Sequence, residues 1–480
     1  MSAADAGYVV AVDQGTSSTK AIAVRGDGRV ARRVTVPVGQ SYPRPGWVEH
    51  DPEALLGSVV TALTEVASGL DAPVAAVGLS AQRESAVLWD HSDRRALGPV
   101  VSWQDRRTAD RAARLRSSRD RVRELSGLPV DPMFSALKIG WLLDTAAVRR
   151  PGLTAGTIDA WLVARLTGDR RIEVGNASRT QLLNVETASW DPELLQTFQV
   201  PAAVLPEVAP SDRPTGPIAG VTGLEGVRVQ AVLADSHAAL YAHGVRTPGQ
   251  VKVTYGTGSS VLGLVGDPAS QVAGLVRTIA WATPHPVAAR EGNILSTGGT
   301  VTWLAELLGV TPGEVFTLAR TAPSDHGVDI VPAFAGLAAP WWDEHAVAII
   351  SGFTRGSGRP ELARAALESI ALQVEDLATR FGARTLIADG GPASDDFLMQ
   401  LQADLSRRTV HRSDVPELSA LGAAHLAGIV AGVWTGAGVA GFPRPRTTFE
   451  PAGAPEVAHR RRQRWHEAIA QSRYTKENHD

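Results

Sequence analysis

Val9-Val-Ala-Val-Asp-Gln-Gly-Thr-Ser-Ser-Thr-Lys-Ala-Ile-Ala-Val24 is a valine-rich run of strand length, a loop of small and hydroxylated residues, and a second apolar run. Gly26-Asp27-Gly28 then turns the chain into a third run that ends near Val38, the pattern of an antiparallel meander. The same pattern returns as Gln250-Val-Lys-Val-Thr-Tyr-Gly-Thr-Gly-Ser-Ser-Val-Leu-Gly-Leu-Val265, at an offset of 241 in a chain of 480 residues. Gly15-Thr16 falls on Gly256-Thr257, and Ser18 on Ser259. So long a period excludes a solenoid and predicts two related halves, 1–247 and 248–480, divided near Thr247-Pro248-Gly249. Around the first meander, Pro52–Leu70 and the arginine-laced Ala109–Leu125 read as helices, and Val74–Leu79 and Ala86–Trp89 as strands. The expected class is α/β with partly antiparallel sheets.

Composition narrows the partners. Lys and Arg number 47 against 50 Asp and Glu, a net charge of −3, which gives no electrostatic reason for a nucleic acid or membrane-surface partner. There is no cysteine, so disulfides, thiolate metal sites and a cysteine nucleophile are excluded. Met1–Tyr8 lacks the basic and apolar regions of a signal peptide, and the expected location is cytoplasmic. Leu418–Pro443 carries no Asp, Glu, Lys or Arg over a bilayer-spanning length, yet it holds six glycines, His425 and Pro443. It reads as a buried, close-packed helix and loop. Lysine occurs only at 20, 138, 252 and 476, so a lysine beside a candidate loop stands out.

A tight Gly/Ser/Thr turn exposes backbone N–H groups and hydroxyls, which together form a concavity for an anion. Two such turns, one per half, suit a polyphosphate. Lys20 adds a point charge to the first, and Asp13 at the strand end can hold Mg²⁺ through water. The plain alternative is two ordinary hairpin turns. No P-loop, no Gly-x-Gly-x-x-Gly after a strand, no Asp-Phe-Gly and no His-Glu-x-x-His occurs, so ATP would be handled by another fold.

Further markers run in order along the chain. They are Pro45-Gly-Trp-Val-Glu-His-Asp-Pro52, Gln82-Arg-Glu84, Trp103-Gln-Asp-Arg106, Asp131-Pro-Met-Phe-Ser135, Gly156-Thr-Ile-Asp-Ala-Trp161 and Asn176-Ala-Ser-Arg-Thr180. The second half adds Tyr255-Gly-Thr-Gly258, Val331-Pro-Ala-Phe334, Ala365-Ala-Leu-Glu-Ser369, Asp389-Gly-Gly391 and Ala420-Leu-Gly-Ala-Ala424. With Asp13-Gln-Gly-Thr16, these resemble the FGGY carbohydrate kinases, most of all the glycerol kinase type, from about Tyr8 to Arg473. The resemblance implies two actin/hexokinase-like (ribonuclease H-like) domains related by duplication, with a cleft between them. It also implies transfer of the γ-phosphate of Mg-ATP to a hydroxyl of a small polyol or sugar. A homodimer is compatible with it.

Site residues follow from the resemblance one at a time. Asp235, in Val232-Leu-Ala-Asp-Ser-His-Ala-Ala239, matches the catalytic base and a metal neighbour; the alternative is an N-cap for the helix that follows. Thr16, Ser17, Ser18 and Lys20 match the first phosphate loop, with lysine where the family has arginine, and Thr257 matches the second. Gly298, Thr302, Gly391 and Asp395 match nucleotide positions, although the glycerol type has Gln at the place of Thr302 and Asn at that of Asp395. The small-residue segment Gly422–Gly428 is compatible with packing near the nucleotide or with ordinary helix packing.

Arg83 and Glu84 match the residues that hold acceptor hydroxyls, and Trp103 an aromatic wall; the pair Arg83–Glu84 is expected to compensate its own charges. Three departures from the glycerol type cluster here: Met133 replaces Tyr, Ser236 replaces Gln and Ser260 replaces Phe. Lost volume and two gained hydroxyls predict a four- or five-carbon polyol or ketose as acceptor, with glycerol itself as the alternative. His237 either lines this site or packs within its helix. A rival of another class is a non-catalytic sugar sensor or an ATPase switch on the same fold. The basic cluster Arg460-Arg-Arg-Gln-Arg464 reads as a solvated helix face rather than a nucleic-acid contact.

Overall fold

The computed structural model describes residues 7–145, 152–267 and 272–473; Met1–Ala6 and Lys476 lie outside them. Two compact units emerge. The first comprises Met1–Gly244, Arg277–Ala289 and Pro416–Pro443, the second Val245–Val276, Arg290–Val415 and Arg444–Asp480. The main break at Gly244/Val245 sits close to the expected 247/248, but a single cut misses two later segments that belong to the first unit.

In the first unit the strands Val229–Ala234, Val74–Ala81, Tyr8–Gln14, Ser18–Val24 and Val30–Pro37 lie side by side in that order. The last three are the expected meander, and the first two add parallel to Tyr8–Gln14. The helix Pro52–Ser68 starts cleanly because the Asp51 carboxylate accepts from the amides of Glu53 and Ala54 and Pro52 takes the first turn. It buries Leu55, Val59, Leu63 and Val66, one face of a 3.6-residue period, in a core shared with Val10, Val12 and Leu79.

The second unit repeats the order with Thr409–Ser413, Thr385–Asp389, Gln250–Tyr255, Ser259–Leu264 and the Arg290–Ile294 end of the strand Pro286–Ile294, and adds Arg446–Phe449 beside Thr409–Ser413. The duplication read at an offset of 241 therefore extends from two strands to five. Its register needs one correction. Gln14 pairs with Thr19, whereas Tyr255 pairs with Ser259, so the second turn is one residue shorter and Thr19, not Ser18, is the counterpart of Ser259. Both are buried hydroxyls bonded to another hydroxyl, Thr19 to Ser58 at 2.6 Å and Ser259 to Thr297 at 3.0 Å.

Two other expectations change. The single helix Ala109–Leu125 is three pieces, Ala109–Arg114, a 3₁₀ turn Arg116–Ser118 and Arg119–Ser126. Ser117-Ser118 interrupts it, serine being a residue that competes for backbone hydrogen bonds. The helix Leu418–Val430 is a structural part of the first unit: a Cβ on Gly422 would overlap the Ala238 carbonyl, and one on Gly78 would overlap that of Ala423. Its small residues serve close backbone packing, which removes the need for a nucleotide beside them. Among the described residues no helix is long and apolar enough to cross a membrane.

Candidate active site

The first unit brings together most of the expected residues. Asp13 ends its strand opposite Lys20 on one neighbour and Ser80 on the other, and the Ser80 hydroxyl donates to its carboxylate at 2.8 Å. Burial first, and then the charge of Asp235, push the Asp13 carboxyl up to about 6, while Ser80 and Lys20 oppose the rise. Gly15 closes the loop by donating to the Ser18 carbonyl at 3.0 Å, and Ser17 is exposed at its tip.

Asp235 is the first residue of the helix Asp235–Ala242, and the cap position belongs to Ala234, which makes no side-chain cap bond. The Asp235 carboxylate nevertheless accepts from the first-turn amide of Ser236 at 2.5 Å, so it serves the helix start as well as facing Arg83. The Asp235 carboxylate is about one-third exposed and lies 3.1 Å from Nε of Arg83. Glu84 is 3.9 Å from Arg83 but takes a 2.7 Å bond from Nε of Arg179. The expected self-compensating pair is thus a relay, Asp235–Arg83–Glu84–Arg179, in which each carboxylate has its own guanidinium. Arg179 is fully buried over the Phe134 ring, 5.2 Å from its centroid. Arg179 lies in the motif Asn176–Thr180, but nothing in the sequence marks its role, because a contact across 95 residues leaves no local trace.

Glu84 itself adopts φ 61°, a left-handed conformation costly for a residue with a Cβ, and Ser135 pins its carbonyl at 3.0 Å. Trp103 is half-buried, and its indole N–H reaches Thr16 Oγ1 at 3.0 Å. Met133 sits in a loop whose carbonyls at Pro132 and Met133 both accept from the ammonium of Lys138. Burial pushes the Lys138 amine down to about 7, against the pull of Glu84, Asp105 and Asp131. Ser236 Oγ is shielded from solvent and has no hydrogen-bond partner among the described residues. His237 is fully buried, its ring against Gly175, which is the packed-helix alternative.

The second unit gathers the remaining nucleotide positions around a cavity of about 540 Å³ lined by Thr257, Gly298, Thr302, Phe316, Gly391 and Asp395. The Gly256–Gly258 turn is clasped by the start of the helix Gly298–Leu308: Gly298 N–H donates to the Gly256 carbonyl and Gly299 N–H to that of Thr257, both at 2.9 Å. A Cβ on Gly298 would come within 2.6 Å of the Gly256 carbonyl, so that glycine has a packing reason. Gly390 and Gly391 divide the labour differently. Gly390, at φ 96°, lies against the Tyr255 backbone, whereas a Cβ on Gly391 would meet no protein atom within 4 Å. A glycine facing open space keeps that space clear for something else.

Asp395 caps the helix Asp396–Ser406 by accepting from the amides of Phe397 and Leu398, and its other oxygen takes a 2.5 Å bond from Arg320. Thr302 is exposed and donates to the Gly298 carbonyl at 3.2 Å. Ser260 belongs to this unit, and its hydroxyl proton is committed to Glu291 at 2.7 Å, leaving only lone pairs for a ligand. Pro312 and Phe316, which line the cavity, carry no motif and went unread in the sequence.

Comparison with known proteins agrees with this geometry. Residues 8–242 match the N-terminal domain, and residues 251–431 the C-terminal domain, of the FGGY family of carbohydrate kinases. A glycerol kinase of Aromatoleum aromaticum is 40% identical, covering 97% of this chain and 99% of its own length. An apulose kinase of Pectobacterium atrosepticum is 38% identical, with 97% and 98% covered. Among solved structures, the glycerol kinase of Plasmodium falciparum with ADP superposes with a TM-score of 0.91 at 26% identity, over 98% of both chains. The two domain models together cover most of the chain, and the chain belongs to the FGGY family of carbohydrate kinases.

Proposed function

We propose that this kinase transfers the γ-phosphoryl group of ATP to a hydroxyl of a four- or five-carbon polyol or ketose. The acceptor oxygen attacks phosphorus, its proton passes to Asp235, the bond to the β-phosphate oxygen breaks and ADP leaves. Arg83 at 3.1 Å favours the ionised carboxylate that this step needs. Each unit by itself carries a glycine turn of a kind suited to a phosphate, at Gly15 in the first and Gly256 in the second, and within the second unit the cavity beside Gly391 suits the base.

Two neighbouring carboxylates, Asp13 and Asp235, with Asp13 pushed up to about 6, make a donor set that suits a divalent cation. Among the described residues no cluster of three His, Asp or Glu could hold a metal alone. That fits Mg²⁺, which keeps several waters and takes the rest of its shell from one or two carboxylates and the phosphates. When bound, it would neutralise charge on the phosphates.

One observation carries the acceptor reading: the buried, unpartnered hydroxyl of Ser236 next to Asp235. An unsatisfied buried hydroxyl costs about 1–3 kcal/mol, which an additional acceptor hydroxyl would recover. Glycerol is the second reading, favoured by relatives named glycerol kinase at 40% identity. The test is coupled ADP release across glycerol, tetritols, pentitols and ketoses, with an acceptor-free control. A longer acceptor is expected to exceed glycerol in kcat/KM by about tenfold, and Ser236→Ala to remove most of that margin. Glycerol as the best acceptor would overturn the proposal, and ADP release without any acceptor would favour the switch.

A further inference from the structure

Three separated stretches of the first unit are closed into one ring of hydrogen bonds. Gln82 N–H donates to the Gln14 carbonyl at 2.8 Å, and Gln82 Nε2 to Gln14 Oε1 at 3.1 Å. The Ser85 hydroxyl donates to Gln82 Oε1 at 2.8 Å, and Trp103 N–H to Ser85 Oγ at 3.0 Å. The indole N–H of Trp103 then donates to Thr16 Oγ1 at 3.0 Å, and Gln14 Nε2 to the Gly15 carbonyl at 2.6 Å, which returns to the phosphate loop. Gln14, Gln82 and Ser85 are buried, so water does not compete for these bonds.

The indole link has a direction. Indole nitrogen is a donor only, so Thr16 must accept on that side and cannot give its own proton back. Among the described residues the Thr16 proton has no acceptor, so with its oxygen occupied by the indole the hydroxyl keeps a proton to give to a ligand in the loop. A hydroxyl held this way can serve an anion only as a donor. We propose that Trp103, besides walling the acceptor, is a positioning residue for the phosphate loop: its N–H fixes Thr16 as a donor to the transferring phosphoryl group. Seating of the acceptor against the ring and handling of the phosphate then share one side chain. The inference rests on the loop's phosphate role proposed above, not on which acceptor the pocket takes.

The variant Trp103→Phe keeps an aromatic wall and deletes only the N–H. With the best acceptor of the wild-type panel, kcat is expected to fall about tenfold while the acceptor KM stays within about twofold. In a Thr16→Val background the same change should cost no further kcat, and in Thr16→Ser, which retains the hydroxyl, the loss should return. Ser85→Ala unties the Trp103 backbone without touching the ring and gives a second handle, with the same loss cancelled by Thr16→Val. Losses that multiply across Trp103 and Thr16, or a Trp103→Phe effect confined to acceptor KM, would overturn the coupling. The panel is read on wild type first, so a wrong acceptor class shows there and a wrong coupling shows only in the cycle.

Discussion

Asp235 must be ionised before an acceptor hydroxyl arrives, and its neighbours divide on that point. Arg83 at 3.1 Å favours the charged form, and the nearby Asp13 carboxylate opposes it. Glu84 stays out of the contest because Arg179 holds it at 2.7 Å. Asp235→Asn keeps shape and removes the base, so turnover should fall by about 10²–10⁴-fold while the protein stays folded. Saturating ADP-release assays check this, and near-normal turnover would strip Asp235 of the role. At this scale the sequence was a fair guide to which residues gather in the first unit, since Asp13, Thr16, Arg83, Glu84, Trp103 and Asp235 all sit in motifs. It was a poor guide to how they pair. Glu84 looks from its neighbour like the partner of Arg83, and only the fold brings Arg179 across to claim it.

Elements show the same division between pattern and partner. Hydropathy told rightly that Ala420–Gly428 is buried and closely packed, but Thr435–Gly438, Ala440, Gly441 and Pro443 of the same run are exposed, and periodicity carries no information on what covers a helix. The answer is the Ala238 carbonyl beneath Gly422 and the strand at Gly78. Gly422→Ala forces a methyl into that carbonyl and should cost about 1–3 kcal/mol, read as a lower melting temperature. A second element holds an acid inside the same unit. Glu173 is buried, accepts from Ser211 Oγ at 2.6 Å and from the Asn176 amide at 2.9 Å, and burial pushes its carboxyl from 4.5 up to about 8. A carboxyl that keeps its proton longer in the folded state gives stability that is full below the unfolded value of 4.5 and lost as pH rises through about 8. Glu173→Gln should flatten the fall in melting temperature across that window; an unaltered pH profile would place the titration elsewhere.

For the whole molecule, the net charge of −3 means that nothing long-range draws in a polyphosphate. Its binding must come from groups within contact range, largely backbone N–H. The KM for Mg-ATP is therefore expected to shift by less than about threefold as ionic strength rises from about 0.05 to 0.3 M, where long-range steering would be screened out. A steep rise in KM would point to surface arginines instead. The duplication was legible from two strands because their valine runs and Gly-Thr turns survive in sequence, while the other three strand pairs share only their place in the sheet. The return of Pro416–Pro443 to the first unit was not legible. That return bears on how the chain is made. A ribosome releases the N-terminal sheet early, but the helix that covers Gly78 and Ala238 emerges only after Leu418, so a nascent chain must carry an uncovered sheet face through most of its synthesis. An N-terminal half expressed alone inherits that exposed face permanently, and chaperone demand, more than any catalytic constraint, would fall on this stretch of the chain.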